Sequence, residues 1–147
     1  MKGLSDEDVR DIFEIRIKIE GLAAKRAAVN MTASQLKELE EVVEFEEFYT
    51  NKGDTEQILR LDTQFHAIIF RASGSRLLDR TLTSFHHYIQ RARGLSLKDK
   101  TRAKKALAEH RAIMEAIRNR DRQKAEKVMK AHIMNASDNI ERLHDDE

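Results

Sequence analysis

The chain has no cysteine, no proline and no tryptophan. Lack of cysteine excludes disulfides, thiolate catalysis and every cysteine-based zinc module, so any metal site must be built from His, Asp or Glu. Lack of proline, with only five glycines, leaves few interruptions to helical backbone. No apolar run approaches the length of a membrane span, and the opening MKGLSDEDVR has none of the apolar core of a signal peptide. Excess charge of one sign is missing too: Lys plus Arg number 27 against 26 for Asp plus Glu, which gives no electrostatic footprint for nucleic acid or an anionic membrane. The expectation is a soluble, cytoplasmic protein with no membrane partner and no grip on DNA through this segment.

What the chain does have suits amphipathic helices. Its 147 residues are 36% charged and 40% hydrophobic, enough for one domain with a real core. The spacing predicts an all-α protein, with a first helix capped by Ser5 and Asp8 in an S-x-x-D box and running to about Val29. Ile12, Ile15, Ile19, Leu22 and Ala23 form its buried stripe. Arg16 falls on nearly that stripe with Glu20 one turn later, either as an ion pair at the core edge or as an arginine pointing into a cavity to meet an anion.

Thr32 and Gln35 cap a second helix, from Ala33 to about Thr50, with Leu36, Leu39, Val43 and Phe48 inward and the acid run Glu38 to Glu47 as its solvated face. Asn51 to Asp54 is a turn, and the third helix reaches about Ala72 before the break at Ser73-Gly74-Ser75. A fourth helix spans about Arg76 to Arg93, with His86 beside its core stripe and Arg93 continuing it. Gly94 then opens a link, Leu95 to Thr101, and the cluster Lys100, Arg102, Lys104 and Lys105 reads as solvated surface. The fifth helix covers about Arg102 to Asn119. The last, capped by Asp121, runs to about Leu143.

The chemistry gathers on the third, fifth and sixth of these helices. Asp62 and His66 sit one turn apart in line with Ile58 and Ile69, His110 lies between Leu107 and Met114, and His132 lies between Val128 and Ala136, so all four face inward. One inward histidine is more often a satisfied core residue than a ligand. Three of them with an inward carboxylate need mutual compensation, which a divalent cation supplies. Such a His-rich set with one carboxylate suits Zn, Ni, Co, Fe or Mn better than Ca or Mg.

The run Asp62-x-x-x-His66, then Ala72-Ser73-Gly74, Glu109-His110, Ala112-Ile113-x-x-Ala116-Ile117, Asp121, Ala125 and Ala131-His132 resembles the FCD domain. That is the effector-binding C-terminal domain of the FadR subfamily of GntR transcriptional regulators. Arg16-x-x-x-Glu20 with Leu22-Ala23-Ala24 and Ala27-Ala28 is similar to the family's start, whereas Ser75 stands where the family often has asparagine. The resemblance implies one domain over residues 1–147, an antiparallel bundle of six or seven helices closest to the VanR-like branch, and a central cavity. In that cavity Asp62, His66, His110 and His132 would hold a divalent transition metal. A small carboxylate effector would bind beside it, contacting Arg16, with Arg93 and His86 as further candidates. The resemblance also implies a homodimer, with DNA contacted through an N-terminal winged helix-turn-helix domain that these residues do not supply, whether the chain is a fragment or a free-standing sensor.

Two other readings stay open at this level. A mononuclear metalloenzyme would use the free coordination positions, but there is no H-E-x-x-H pattern and Glu109 lies about 100° around its helix from His110. A purely structural metal, tying helices together in a dimerisation domain, would leave no room beside the site.

Overall fold

The computed structural model describes residues 4–145, so the ends of the expected 1–147 domain lie outside the described residues. The chain folds into seven helices with no strand among the described residues: α1 (Asp6–Asn30), α2 (Ala33–Lys52), α3 (Thr55–Ala72), α4 (Arg76–Tyr88), α5 (Gln90–Leu97), α6 (Lys100–Arg118) and α7 (Arg122–Asp145). No helix is long and apolar enough to cross a membrane among these residues.

The ends are set by local chemistry. Both capping boxes form: Ser5 exchanges hydrogen bonds with Asp8, and Thr32 with Gln35. Gly53, at φ 72°, closes α2 in the left-handed region that favours glycine. Asp54 caps α3, Asp99 caps α6, and the Asp121 carboxylate accepts from the Lys124 amide. Ser75 caps α4 through its hydroxyl, a cap that asparagine would also supply.

The expected link after Gly94 is instead helical. The fourth helix breaks at Ile89 (φ −105°, ψ 16°) and resumes as α5, with Gly94 inside it. A Cβ on Gly94 would come 3.3 Å from the Leu59 side chain, so the glycine serves close approach of α5 to α3. In place of a loose link, the chain lays α5 across the bundle.

Pairing of ends gives the topology. Asp6 lies near His144 and the Arg120 guanidinium donates to the Ala28 carbonyl, so α1 and α7 run antiparallel. Glu40 meets Arg118 and Glu47 meets Arg111, which makes α2 and α6 antiparallel as well. By contrast α1 and α3 run the same way, Glu20 meeting His66 and Asn30 meeting Ser73. Phe13, Leu39, Phe65, Ile69, Ile113, Ile117, Met129 and Ile133 fill the space between them, and Ala23, Ala24, Ala27 and Ala28 keep α1 close to its neighbours.

Several residues depart from the expected faces. Ile15 (44% exposed), Leu22 and Phe48 are on the surface, because α1 and α2 carry apolar residues on more than one side. Conversely Glu46, in the middle of the acid run, is 1% exposed, and Arg102, in the basic cluster, is 5% exposed. Truncating Ile113, which is fully buried, to alanine should cost about 2–5 kcal/mol. Lys104→Ala, at an exposed position, should stay within about 0.5 kcal/mol. Urea denaturation of the two variants checks both.

Candidate metal and effector site

Three helices bring four ligand atoms to one point inside the bundle. Asp62 and His66 come from α3, His110 from α6 and His132 from α7, and one donor atom of each lies within 4.8 Å of all the others. Oδ1 of Asp62 is 3.2 Å from His110 Nε2 and 3.5 Å from His66 Nε2. His66 Nε2 is 3.4 Å from His132 Nε2. All four side chains are buried.

The other nitrogen of each ring faces a carboxylate. His66 Nδ1 is 2.7 Å from Glu20 Oε1, His110 Nδ1 is 2.6 Å from Glu46 Oε1, and His132 Nδ1 is 2.6 Å from Glu109 Oε1. An imidazole that donates from Nδ1 to a carboxylate presents its Nε2 lone pair forward. Three such lone pairs and a carboxylate oxygen therefore converge on one another, and His110 Nε2 is buried with no hydrogen-bond partner. Donors about 2.0–2.1 Å from a shared zinc-sized ion would stand roughly 3.0–3.4 Å apart, close to the spacings above. The residues fit a cation.

Arginines brace this centre. Arg16 Nε donates to Glu20 Oε2 at 2.6 Å, and its Nη2 donates to His86 Nε2 at 2.9 Å. Arg16 thus pairs with Glu20 as expected, is deeply buried, lines a cavity beside Asp62, His66 and His132, and leaves Nη1 without a partner. Arg93, on α5, donates from Nη1 to Asp62 Oδ2 at 2.6 Å and from Nη2 to Thr63. Arg102 grips Glu109 with both terminal nitrogens, at 3.1 and 2.6 Å. His86, a candidate effector contact, is not among the cavity's lining residues; it takes a hydrogen bond from Arg16. A second group, Glu20, His66 and His86, also lies close enough to hold an ion, but the Arg16 donor occupies the His86 lone pair.

The cavity holds about 30 Å³, and Phe13, Leu97, Ala136 and Ile140 are the apolar part of its lining. The residues that sequence reasoning missed are the outer carboxylates. Glu46 was hidden in a run of surface acids, and Glu20 and Glu109 had already been given other places. Their one signal is that an inward imidazole needs a second partner for its far nitrogen.

Electrostatics follow from these contacts. Burial disfavours charge on His110, yet Glu46 and Asp62 outweigh it and raise its pKa to about 10. Burial pushes His132 down to about 4 despite Glu109, and pushes His86 down to about 3, helped by Arg16. Burial also resists charge on Glu109, but His132 and Arg102 hold it down at about 2. Burial likewise resists charge on His66, but Glu20 and Asp62 raise its pKa, so without a metal protonation is favoured at His66 and His110 and disfavoured at His132.

The described residues form an all-helical bundle around a buried His/Asp centre. The FCD domain family matches residues 11–135. The HTH-type transcriptional regulator YdhC of Bacillus subtilis (strain 168) is 30% identical over 131 residues, which cover 88% of this chain and 58% of that protein. The Streptococcus agalactiae GntR structure is 30% identical with a TM-score of 0.78, over 91% of this chain and 61% of that one. E. coli McbR/YncC shares the fold, with a TM-score of 0.86 at 18% identity, over 95% of this chain and 67% of that one. The chain belongs to the FCD domain family of GntR-type regulators, and it spans less than two thirds of YdhC and of the Streptococcus protein.

The pKa directions set the pH response of the protein kept in chelator. His110 holds its proton to about 10 when folded and releases it near 6.5 when unfolded. Its contribution is fully present below pH 6.5 and lost as pH rises toward 10. His132 and His86 bind no proton until about 4 and 3, so protonation of the unfolded chain lowers stability as pH falls below 6.5. Stability should peak at about pH 6–7 and fall on both sides. Urea midpoints from pH 4 to 10 measure this, and a profile still rising above pH 8 would contradict it.

Proposed function

We propose that this FCD domain is a metal-dependent sensor of a small organic acid. Asp62, His66, His110 and His132 hold a divalent transition metal, one of Zn, Ni, Mn, Co or Fe, and the acid binds in the cavity beside it. The observation that carries this reading is the convergence of three Nε2 atoms and one carboxylate oxygen, each imidazole oriented from behind by its own glutamate. Arranged this way, the ligands leave a metal of five or six coordination with free positions. Arg16 supplies the unpartnered Nη1 for a carboxylate, Arg93 is the second cationic contact, and His86 fixes the Arg16 guanidinium from behind.

The role is non-catalytic: Glu109, the acid nearest in sequence to a ligand, spends its oxygens on His132, Arg102 and Asn135 and presents none to the metal. As in the FadR subfamily, the domain works in the cytoplasm as a homodimer and reaches DNA through an attached winged helix-turn-helix domain. The outward apolar residues Ile15, Leu22 and Val29 of α1, with Leu77 and Tyr88 of α4, supply the dimer face. A purely structural metal is the second reading, favoured by the small size of the cavity.

Elemental analysis of the purified protein should find close to one metal per chain, lost in Asp62→Ala and in His110→Ala. Glu46→Ala should keep the site but weaken it about 10–100-fold. A thermal-shift screen of organic acids on the metal-loaded protein separates the readings: stabilisation by one acid, diminished in Arg16→Ala, supports sensing. Metal without any acid response leaves the structural role. Sedimentation of Leu22→Arg should show a monomer; an unchanged dimer would move the interface elsewhere.

A further inference from the structure

We infer that the ligand of this cavity is a short monocarboxylate, not a di- or tricarboxylate. The inference rests on the metal-and-effector reading above and adds the charge and shape of what binds.

The buried charges almost cancel in pairs. Arg16 is 2.6 Å from Glu20, Arg93 is 2.6 Å from Asp62, and Arg102 is 2.6 Å from Glu109. Glu46 stands outside these pairs, 1% exposed, with only the His110 ring against it. With neutral imidazoles, as metal ligation requires, the cluster carries one net negative charge. A divalent cation turns that into one net positive charge. An uncompensated buried charge is strongly disfavoured, and one carboxylate balances it. A dicarboxylate would leave the interior one negative charge in excess, with no cation of the described cluster left unpaired to meet it.

Shape points the same way. The cavity of about 30 Å³ has room for roughly two waters at about 10–15 Å³ each, close to what one carboxylate group displaces. Its polar end offers the unpartnered Arg16 Nη1, and Arg93 Nε is likewise buried without a partner. The rest of the lining is Phe13, Leu97, Ala136 and Ile140, which suit a short alkyl tail, with Ser96 and with Arg102, whose guanidinium is already held by Glu109.

Calorimetric titration of the zinc- or nickel-loaded chain at fixed ionic strength tests this, with acetate, propionate and butyrate against malonate and succinate and with metal retention assayed afterwards. The monocarboxylates should bind at least tenfold more tightly than the dicarboxylates. Glu46→Gln, which keeps an oxygen for His110 but removes the unpaired charge, should reverse that order when saturated with metal. Malonate or succinate binding as tightly as propionate, with metal retained, overturns this inference and leaves the sensor reading standing. Failure to take up metal, or metal uptake with no heat from any carboxylate, overturns both.

Discussion

Four electron-rich atoms, Asp62 Oδ1 and the Nε2 atoms of His66, His110 and His132, are held within 4.8 Å of one another in the interior. Left to themselves they would repel, and each has been taken from water to reach its position. Only a cation at their centre, a proton or a metal, makes the arrangement favourable. The rest of the bundle supplies the constraint that keeps them there: α3 sets two ligands one turn apart, while α6 and α7, antiparallel across the turn at Asn119 to Asp121, each deliver one. Phe65 stacks on the His110 ring at 4.1 Å between centroids and limits its freedom to turn away.

Around that centre lies a layer of carboxylates, and around two of them a layer of arginines. The order matters. A glutamate against Nδ1 fixes the ring and its tautomer, but a buried glutamate is itself a cost unless something answers it. Arg16 answers Glu20 and Arg102 answers Glu109, the latter in a bidentate grip that also leaves an oxygen for Asn135. Glu46 has no such arginine. The site is therefore electrically asymmetric, and the asymmetry sits on α2, a helix that contributes no ligand.

Much of this was legible in the sequence where a local rule decides. The caps at Ser5, Thr32 and Asp121 were readable because a side chain and an amide three residues away settle them. The inward placement of Asp62, His66, His110 and His132 followed from 3.6-residue periodicity alone. What stayed hidden depends on partners distant in the chain. Glu46 is one acid among many until His110, 64 residues away, is seen to need it, and Arg102 is one base among four until Glu109 closes on it. Gly94 looked like a break because glycine weakens isolated helices; its helix persists because α5 packs on Leu59 and ties Ser96 to Asn139. Ile15 and Leu22 misled for the opposite reason, since periodicity cannot tell a core face from an apolar face left at the surface.

α5 is the element best placed to report on the cavity. It is eight residues long, has no side-chain cap at its start, and closes the cavity with Arg93, Ser96 and Leu97. In the proposed sensor, a bound carboxylate competes with Asp62 for Arg93, so its affinity differs between arrangements of α5, which is the condition for any ligand to shift an equilibrium. Exchanging one charge-assisted hydrogen bond is worth about 1.5–3 kcal/mol, whereas inverting a 1:99 population needs about 5.5 kcal/mol. The Arg93 exchange alone falls short. In the proposed sensor the difference has to come from contact with the metal and with Arg16, groups held on α3, α6, α7 and α1, so the anion must bridge those four helices and α5.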